Sequence, residues 1–369
     1  MTINPIDLHD PVAQVFAGED IDMDKFEATA GPDAFRRARN VAKDAFAATR
    51  FFNYIIHTTL ETLFGIHVTR DRVWSEMGVL GCLSGYFGVV EAQGRGTLHL
   101  HIFLWLFGAP NADEMHTLLK TEEFRQKIVA YIRENIRAHL DAFGEEEIKS
   151  SKRESDIGYS RPPNPNDPNW EENMKKFEYR VVRSQQIHKC TKNTCLVNKS
   201  GRQVCKRRAP WPLSDDDSID ENGNWNAKRT YGYLNTYCPP ISVTLRCNND
   251  IQLITNGRDT KNVVWYETGY QTKKQGKSFN ISALFAKALL YHTNHSAYLS
   301  DILEQNRLLI YRCFLSINVG AELSDQQVIS YLMGWGDTFC SHHYVPFYWA
   351  SLGRYIIKAF PHLYPSGEQ

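Results

Sequence analysis

The spacing of apolar residues divides the chain into helical and strand-like segments. Over residues 32–64 apolar positions recur at helical spacing, which predicts two helices that end at Gly65. Residues 85–107 form two β-rich runs around Arg95, which glycines flank on both sides, and this pattern predicts a β-hairpin. Residues 113–143 again carry an apolar stripe at helical spacing.

The second half of the chain changes character several times. Residues 144–172 are rich in charged residues and prolines and have little to bury, so we expect an exposed linker there. Strand-like runs over residues 241–254 end at an Asn256–Gly257 turn signal. Helical spacing then dominates over residues 259–274, 281–294, 296–315 and 324–333.

Composition indicates a folded protein and narrows its class. The chain has 369 residues, of which 42% are apolar and 12% aromatic, enough for a sizeable core. Its 42 basic residues balance 42 acidic ones, which argues against indiscriminate coating of nucleic acid but allows a local basic patch. The sequence has no membrane-spanning run, no secretory signal and only eight cysteines, so we expect a reduced, intracellular chain.

His99 and His101 flank Leu100 in the second run of the predicted hairpin. Side chains alternate along a strand, so both imidazoles project from one face, with Cα atoms about 6.6 Å apart, and can converge on one cation. Glu91 and Gln93 on the preceding run share a face in the same way, and either can complete a metal site through an oxygen. Two half-buried histidines satisfied by their neighbours are the alternative.

Tyr266 and Tyr270 lie four residues apart in a predicted helix and therefore share one face of it. Lys273 and Lys274 follow within about one turn. Two phenols beside lysines can act as nucleophiles at a phosphate, because a nearby cation favours the phenolate of a group whose ordinary pKa is about 10. The alternative is a pair of aromatic residues that pack the helix onto a sheet.

A cysteine-rich, basic segment separates these two motifs. Within 18 residues it contains four histidine and cysteine residues, the ligands typical of a small structural zinc site: His188, Cys190, Cys195 and Cys205. Free cysteines in a basic loop are the alternative. From Lys175 to Arg208 there are 11 Lys and Arg residues against one acid, which predicts contact with phosphate backbones, with a solvated loop as the alternative. The residues that we expect to contact DNA are Arg95, Arg202, Lys206, Arg207, Arg208, Lys273 and Lys274.

Four segments, in this order, resemble the Rep endonuclease domain of Helitron rolling-circle transposons, also called the Helitron helicase-like N-terminal domain. They are TINPIDLHDPVAQVFAG, then VVEAQGRGTLHLHIFLW, then LRCNNDIQLI with KNVVWYETGYQTKK, and finally LSDQQVISYLMGWGDTFCSHHYVPFYW. The second contains the HUH motif (histidine, hydrophobic residue, histidine) and the third the two-tyrosine helix. The chain looks most similar to the fungal branch.

The resemblance implies a metal-dependent tyrosine nickase and ligase. His99 and His101 would bind the metal, Mg²⁺ or Mn²⁺, with Glu91 or Gln93 as the third ligand. Tyr266 and Tyr270 would be the nucleophiles in a transesterification of single-stranded DNA that leaves a 5′-phosphotyrosine and a free 3′-OH. Nuclear localisation is an expectation from the same resemblance.

The expected fold class is α+β, with an HUH-type central antiparallel sheet flanked by helices, an inserted Cys/His-rich module and a helical C-terminal extension. Residues 1–143 would form the first part of the core and 144–172 the flexible linker. Residues 173–226 would form the basic Cys/His insert, 227–280 the rest of the core with the tyrosine helix, and 281–369 the extension.

Two other functions stay open. Met1 directly precedes the first motif, so the strand that leads into this motif looks truncated. No helicase motif follows. Gln275–Ser278 ends like a phosphate-binding loop, but Gln271 stands where that loop needs glycine. The chain can therefore be an inactive or truncated Helitron-derived DNA-binding domain that once worked with a helicase. An unrelated metalloenzyme for a small molecule would leave the tyrosines and the basic segment unexplained. The sequence does not give the oligomeric state or the DNA target.

Overall fold

The structure is a computed structural model and has a mixed α+β architecture. It describes residues 1–92, 97–140, 145–192, 195–199, 201–258, 260–271, 281–296, 301–319, 323–343 and 348–360. No helix in this part of the chain is both long enough and apolar enough to cross a membrane.

The strands in the described ranges are mostly short. They are β1 (Thr2–Asn4), β2 (Ile66–Val68), β3 (Val73–Ser75), β4 (Leu83–Ala92), β5 (Leu98–Leu106), β6 (Leu196–Lys199), β7 (Arg202–Cys205), β8 (Ser218–Ile219), β9 (Trp225–Asn226), β10 (Asn248–Asp250) and β11 (Thr338–Cys340). Five of them form one antiparallel sheet in the order β10-β1-β5-β4-β11, and the other six form three separate pairs. The long β4–β5 hairpin lies in the middle of this sheet, so its residues have neighbouring strands on both sides.

The helices are spread along the whole chain. They are α1 (Pro11–Phe16), α2 (Ala34–Lys43), α3 (Ala45–Thr58), α4 (Ala112–Leu118), α5 (Glu122–Asn135), α6 (Glu145–Ser150), α7 (Trp170–Gln185), α8 (Pro239–Leu245), α9 (Thr260–Gln271), α10 (Ile281–His295), α11 (Ile302–Val319), α12 (Asp325–Leu332) and α13 (Trp349–Ala359). A π-helical turn, Thr59–Leu63, continues α3.

The main hydrophobic core lies on one face of the sheet. Leu98, Leu100 and Ile102 of β5 belong to it, together with buried side chains of α3, α5 and α8. Because side chains alternate along a strand, the residues between these three project from the other face of β5. The core therefore fixes which face of the sheet carries His99 and His101.

The two helices expected over residues 32–64 and the hairpin over residues 85–107 are confirmed, whereas the helical pattern expected over residues 113–143 holds only as far as Asn135, because residues 136–140 leave the helix. Helices α2 and α3 occupy the segment where two helices were expected, and positive φ at Gly65 ends that unit. The β4–β5 hairpin is present as predicted, although its turn, residues 93–96, lies outside the described residues.

Three expectations differ from the structure. The strand-like run 241–254 is largely wrong, because Pro239 and Pro240 start helix α8 and only β10 is a strand. The segment 144–172 is not simply exposed, since Ile157 and Tyr159 are buried. The C-terminal extension is not wholly helical, because β11 completes the central sheet beside β4.

Candidate metal centre and basic module

His99 and His101 lie side by side on β5 and are almost completely buried, with 3% and 5% of their surface exposed. In the β4–β5 register Glu91 is directly opposite His99. The Glu91 carboxylate oxygen Oε2 is 3.3 Å from Nε2 of His101. The hairpin therefore brings two imidazoles and one carboxylate together, as the spacing of these residues predicts.

The hydrogen bonds of the two histidines differ. Nδ1 of His101 is 3.2 Å from the hydroxyl of Thr2, on the neighbouring strand β1. Nε2 of His99 is buried and has no hydrogen-bond partner in the described part of the chain. A buried ring nitrogen without a partner is costly unless it binds something, and neutral imidazole nitrogen is a common metal ligand. This donor set fits a divalent cation.

Electrostatics keep His99 neutral. Burial lowers its pKa to about 4, and the neighbouring His101 and the positive charge of Arg207 act in the same direction, whereas Glu91 opposes them. At neutral pH the ring therefore retains a lone pair for a metal. Gln93, the other candidate for the third ligand, lies outside the described residues, so Glu91 is the candidate oxygen ligand whose position the structure gives.

The helix with the two tyrosines packs beside the histidine strands. Tyr266 and Tyr270 both belong to α9, and α9 contacts both β4 and β5. The side chains of both tyrosines lie outside the described part of the structure, as do Lys273 and Lys274. The structure therefore shows that the tyrosine helix contacts the two strands of the histidine hairpin.

The predicted Cys/His cluster forms a second possible metal centre. Ligand atoms of His188, Cys190, Cys195 and Cys205 all lie within 4.8 Å of one another. The β6–β7 hairpin brings the distant cysteines together, because Cys205 pairs with Leu196, the residue after Cys195. The cluster could therefore bind a metal such as zinc.

The chemistry of the sulfurs agrees with a metal site. Nε2 of His188 is 3.2 Å from Sγ of Cys205. Burial, together with the neighbouring thiols of Cys205 and Cys195, raises the pKa of Cys190 to about 12. Thiols this close oppose each other's ionisation, and a bound cation reverses that effect by neutralising the thiolates.

The basic charge of this region is divided between a paired and an exposed part. On α7, Lys176 pairs with Glu172 and Arg180 pairs with Glu154. The segment from Lys189 to Arg208, here called the basic module, has no acidic residue. Seven basic side chains are exposed in it: Lys189, Lys192, Lys199, Arg202, Lys206, Arg207 and Arg208. Arg95, the other predicted DNA contact, lies outside the described residues.

Sequence reasoning missed Thr2 as a neighbour of the histidines. Its contact with His101 depends on the pairing of β1 with β5, and the two residues are 99 positions apart in the sequence. The sequence signal for this contact is that Thr2 is polar and precedes Ile3, which belongs to the core. Because side chains alternate along a strand, Thr2 must then lie on the face opposite the core.

Comparison with known protein families gives a match over the first 104 residues of the chain. Residues 1–104 match the family model described as the Helitron helicase-like domain at N-terminus, a range that includes Thr2, Glu91 and both histidines. No curated protein and no solved structure matches the chain. The resemblance to the Helitron helicase-like N-terminal domain is thus confirmed over residues 1–104.

Proposed function

We propose that this chain is an HUH endonuclease and strand transferase of the Helitron type, which cleaves single-stranded DNA and stays joined to it through a tyrosine. One observation carries the proposal. The buried pair His99 and His101 lies beside Glu91, and the helix that contains Tyr266 and Tyr270 packs against the same two strands. The family match over residues 1–104 supports the Helitron relationship.

The reaction that we infer is a transesterification. The phenol oxygen of Tyr266 or Tyr270 attacks the phosphorus and loses its proton as the bond to phosphorus forms. The bond from phosphorus to the 3′-oxygen breaks, and that oxygen takes up a proton. The products are a 5′-phosphotyrosine and a free 3′-OH, and attack by a 3′-OH reverses the step. No water is consumed, so the phosphodiester energy is kept for rejoining.

The protein's own residues prepare this site. His99 and His101 would hold a divalent cation, Mg²⁺ or Mn²⁺, with Glu91, and the cation would supply Lewis-acid stabilisation of charge on the phosphate. The hydroxyl of Thr2 orients the His101 ring through Nδ1, which leaves Nε2 directed to the carboxylate side. Burial of both rings keeps competing water away from the histidine face.

A denaturing gel with single-stranded oligonucleotides and Mn²⁺ tests the proposal. The oligonucleotide carries its label at the 3′ end, because a 5′-phosphotyrosine retains that fragment. We expect label to migrate with the wild-type protein, but not with the Tyr266→Phe/Tyr270→Phe or His99→Ala variants. An adduct of equal yield in the double tyrosine variant would exclude the covalent mechanism.

The second candidate is a DNA-binding domain that does not cleave. The exposed cations of the basic module support it, because they need only phosphate contacts and no chemistry. Salt-sensitive binding of single-stranded DNA without any adduct, in Mg²⁺ or Mn²⁺, would favour this function over the nickase. Nuclear localisation remains an expectation under either function.

We further propose that the Cys/His cluster holds a structural Zn²⁺ ion. Its three sulfurs and one imidazole are the donor types of closed zinc sites. Elemental analysis of the purified protein should give about one zinc per chain, and Cys195→Ser should lower this value. As a control, Cys82→Ser changes a cysteine outside the cluster and should leave the zinc content unchanged.

A further inference from the structure

We propose that Trp105, supported by Phe103, stacks on a base of the single-stranded DNA whose phosphate binds at the candidate metal centre. The inference rests on the proposed function and adds a base-binding subsite to it. Both aromatic residues belong to β5, the strand that carries the histidine pair. Trp105 lies just beyond the matched residues 1–104.

The geometry of β5 puts both aromatic side chains on the face of the histidines. Because side chains alternate along a strand, four of them project from one face of β5: His99, His101, Phe103 and Trp105. The pairing with β4 is regular from Glu91 opposite His99 to Gly85 opposite Trp105, so no bulge breaks this alternation. Two residues of a strand span about 6.6 Å, which puts the Cα atom of Trp105 about 13 Å from that of His101.

The two aromatic rings contact each other along the strand. Their centroids are 6.0 Å apart and their planes are inclined by 51°. This separation is typical of packed aromatic pairs. The half-buried Phe103 therefore supports the indole of Trp105 and limits its conformations, so that a ligand stacked on Trp105 orders little that is not already ordered.

The histidine face becomes more exposed towards Trp105. His101 is buried, Phe103 is half-buried and Trp105 is 51% exposed. A large aromatic surface thus stays in contact with water on the same strand as the buried histidines. A DNA strand with one phosphate at the histidines can run along β5 in this direction and pass over the indole ring.

The position opposite Trp105 leaves room for a flat ligand. Trp105 pairs with Gly85 on β4, which has no side chain to cover the indole. A Cβ atom on Gly85 would lie 3.1 Å from Cε1 of His342, and directly paired residues share a face, so this imidazole lies on the histidine face as well. The hydroxyl of Ser341, 2.7 Å from Nδ1 of His342, orients the ring. Two unsaturated rings therefore border a glycine backbone.

The chemistry of this surface indicates a base and not a phosphate. The indole of Trp105 is uncharged and flat, and every nucleobase has a flat π-face that can stack on it. In a duplex the neighbouring base pairs cover those faces, whereas in a single strand the faces are accessible. The cations of the basic module can contact phosphates in either form of DNA. The aromatic surface on β5 thus provides a reason for a preference for single strands.

The test compares two single-stranded polymers of equal length in the presence of Mn²⁺. One is an ordinary oligonucleotide, and the other is a chain of abasic sugars that keeps every phosphate. Trp105→Leu should weaken binding of the ordinary oligonucleotide about tenfold and should bind the abasic chain like wild type. Equal affinity of the two proteins for both polymers would overturn the proposal, as would an equal loss on both.

Further variants and the salt dependence separate stacking from loss of fold or charge. Trp105→Tyr keeps a stacking ring and should retain most of the affinity for the oligonucleotide. Trp170→Leu changes an exposed tryptophan at the start of α7 and should match wild type on both polymers. The slope of log K against log salt should be the same for wild type and Trp105→Leu, because stacking releases no counterions. Circular dichroism shows whether each variant folds.

The proposed function fails independently of this inference. If the wild-type protein forms no adduct, the chain does not cleave DNA, yet the two polymers still report whether Trp105 binds a base. If the protein does cleave, Trp105→Leu should raise the DNA concentration for half-maximal adduct formation about tenfold. The rate at saturating DNA should change little, because the indole does not touch the reacting atoms. An unchanged half-saturation would contradict the inference and leave the nickase intact.

Discussion

Gly88 lies on β4 opposite Ile102, where the sheet has no room for a side chain. A Cβ atom there would lie 2.9 Å from Cδ1 of Leu100 and 3.1 Å from the carbonyl oxygen of His101. We therefore expect Gly88→Ala to lower the free energy of unfolding by about 1–3 kcal/mol, because β5 must shift to avoid the clash. Urea denaturation of the two proteins measures this difference.

Gly269 on the tyrosine helix provides the opposite case. It is exposed and would gain a Cβ that meets nothing within 4 Å. We expect Gly269→Ala to leave the unfolding free energy unchanged or raise it by about 0.5–1 kcal/mol, since alanine favours the helix. A loss in the same urea experiment as large as that of Gly88→Ala would contradict the exposed position of Gly269.

His9 should make the stability of the protein depend on pH. Burial lowers the pKa of His9 below its ordinary value of 6.5, Arg37 acts in the same direction, and Asp156, 3.8 Å from Nδ1, opposes them. The unfolded chain therefore takes up a proton near pH 6.5, whereas the folded protein does not. The contribution to stability is complete above pH 6.5 and is lost as the pH falls towards the folded pKa.

The expected result is a melting temperature that falls between pH 7.5 and pH 5.5, and falls less in His9→Gln. Differential scanning calorimetry of metal-free protein measures both slopes. His116→Gln, at an exposed position on α4, should keep the wild-type slope. Parallel slopes for wild type and His9→Gln would show that His9 titrates alike in the folded and unfolded chains.

At the residue scale, the sequence was informative where two candidate site residues are near each other in one element. The alternation in His99–His101 and its pairing with Glu91 follow from hairpin geometry alone. Thr2 could not be assigned in this way. Its relation to the histidines depends on the strand order of the central sheet, which local spacing does not encode.

At the scale of elements, a buried amide network joins α7 to the central sheet. The side chain of Gln186, just after α7, donates to Ser242 at 3.0 Å and to the carbonyl of Cys247 at 2.9 Å. Its carbonyl oxygen accepts from Asn248 at 3.0 Å. The end of α7 is thus attached through hydrogen bonds of the fully buried Gln186 side chain.

We expect Gln186→Leu to lower the unfolding free energy by about 2–4 kcal/mol, because leucine leaves several buried polar groups without partners. Urea denaturation measures this loss. Lys176→Ala, which breaks an exposed ion pair with Glu172 on α7, should change it by less than about 0.5 kcal/mol. A loss below about 1 kcal/mol for Gln186→Leu would mean that the structure around residue 186 relaxes and that water hydrogen-bonds to the polar groups left there.

The elements that the sequence predicted well are those whose own amphipathic pattern decides their structure, such as α2, α3 and the β4–β5 hairpin. Helix α8 was mistaken for a strand because its β-branched residues favour strands, whereas the two prolines at its start and burial of Ile241 and Leu245 favour the helix. Strand β11 has three residues and exists through its pairing with β4, so its own sequence carries little signal.

At the scale of the whole molecule, charge is segregated although the net charge is zero. The seven exposed cations of the basic module have no acidic residue among them in the sequence. Each phosphate neutralised on single-stranded DNA changes the slope of log K against log salt by about −0.7. Contact by most of these cations therefore predicts a slope of about −4.

Fluorescence anisotropy from 50 to 300 mM NaCl would measure this slope. Arg202→Gln and Lys206→Gln should each make it less steep by about 0.7. Lys127→Gln, where the lysine pairs with Glu123 on α5, is the matched control and should leave it unchanged. A slope near zero for the wild type would place the DNA elsewhere.

The strand order of the central sheet has a consequence for synthesis of the protein. The histidine strand β5 pairs with β1 from the start of the chain, β1 also pairs with β10, and Ser341 after β11 bonds Tyr86 of β4 across 255 residues. A ribosome adding about 5–20 residues per second would release the histidines many seconds before β10 and β11, the two edge strands of their sheet. During that interval the edge of β4 is open to other chains, and the nascent protein carries its candidate metal ligands on a sheet that is not yet complete.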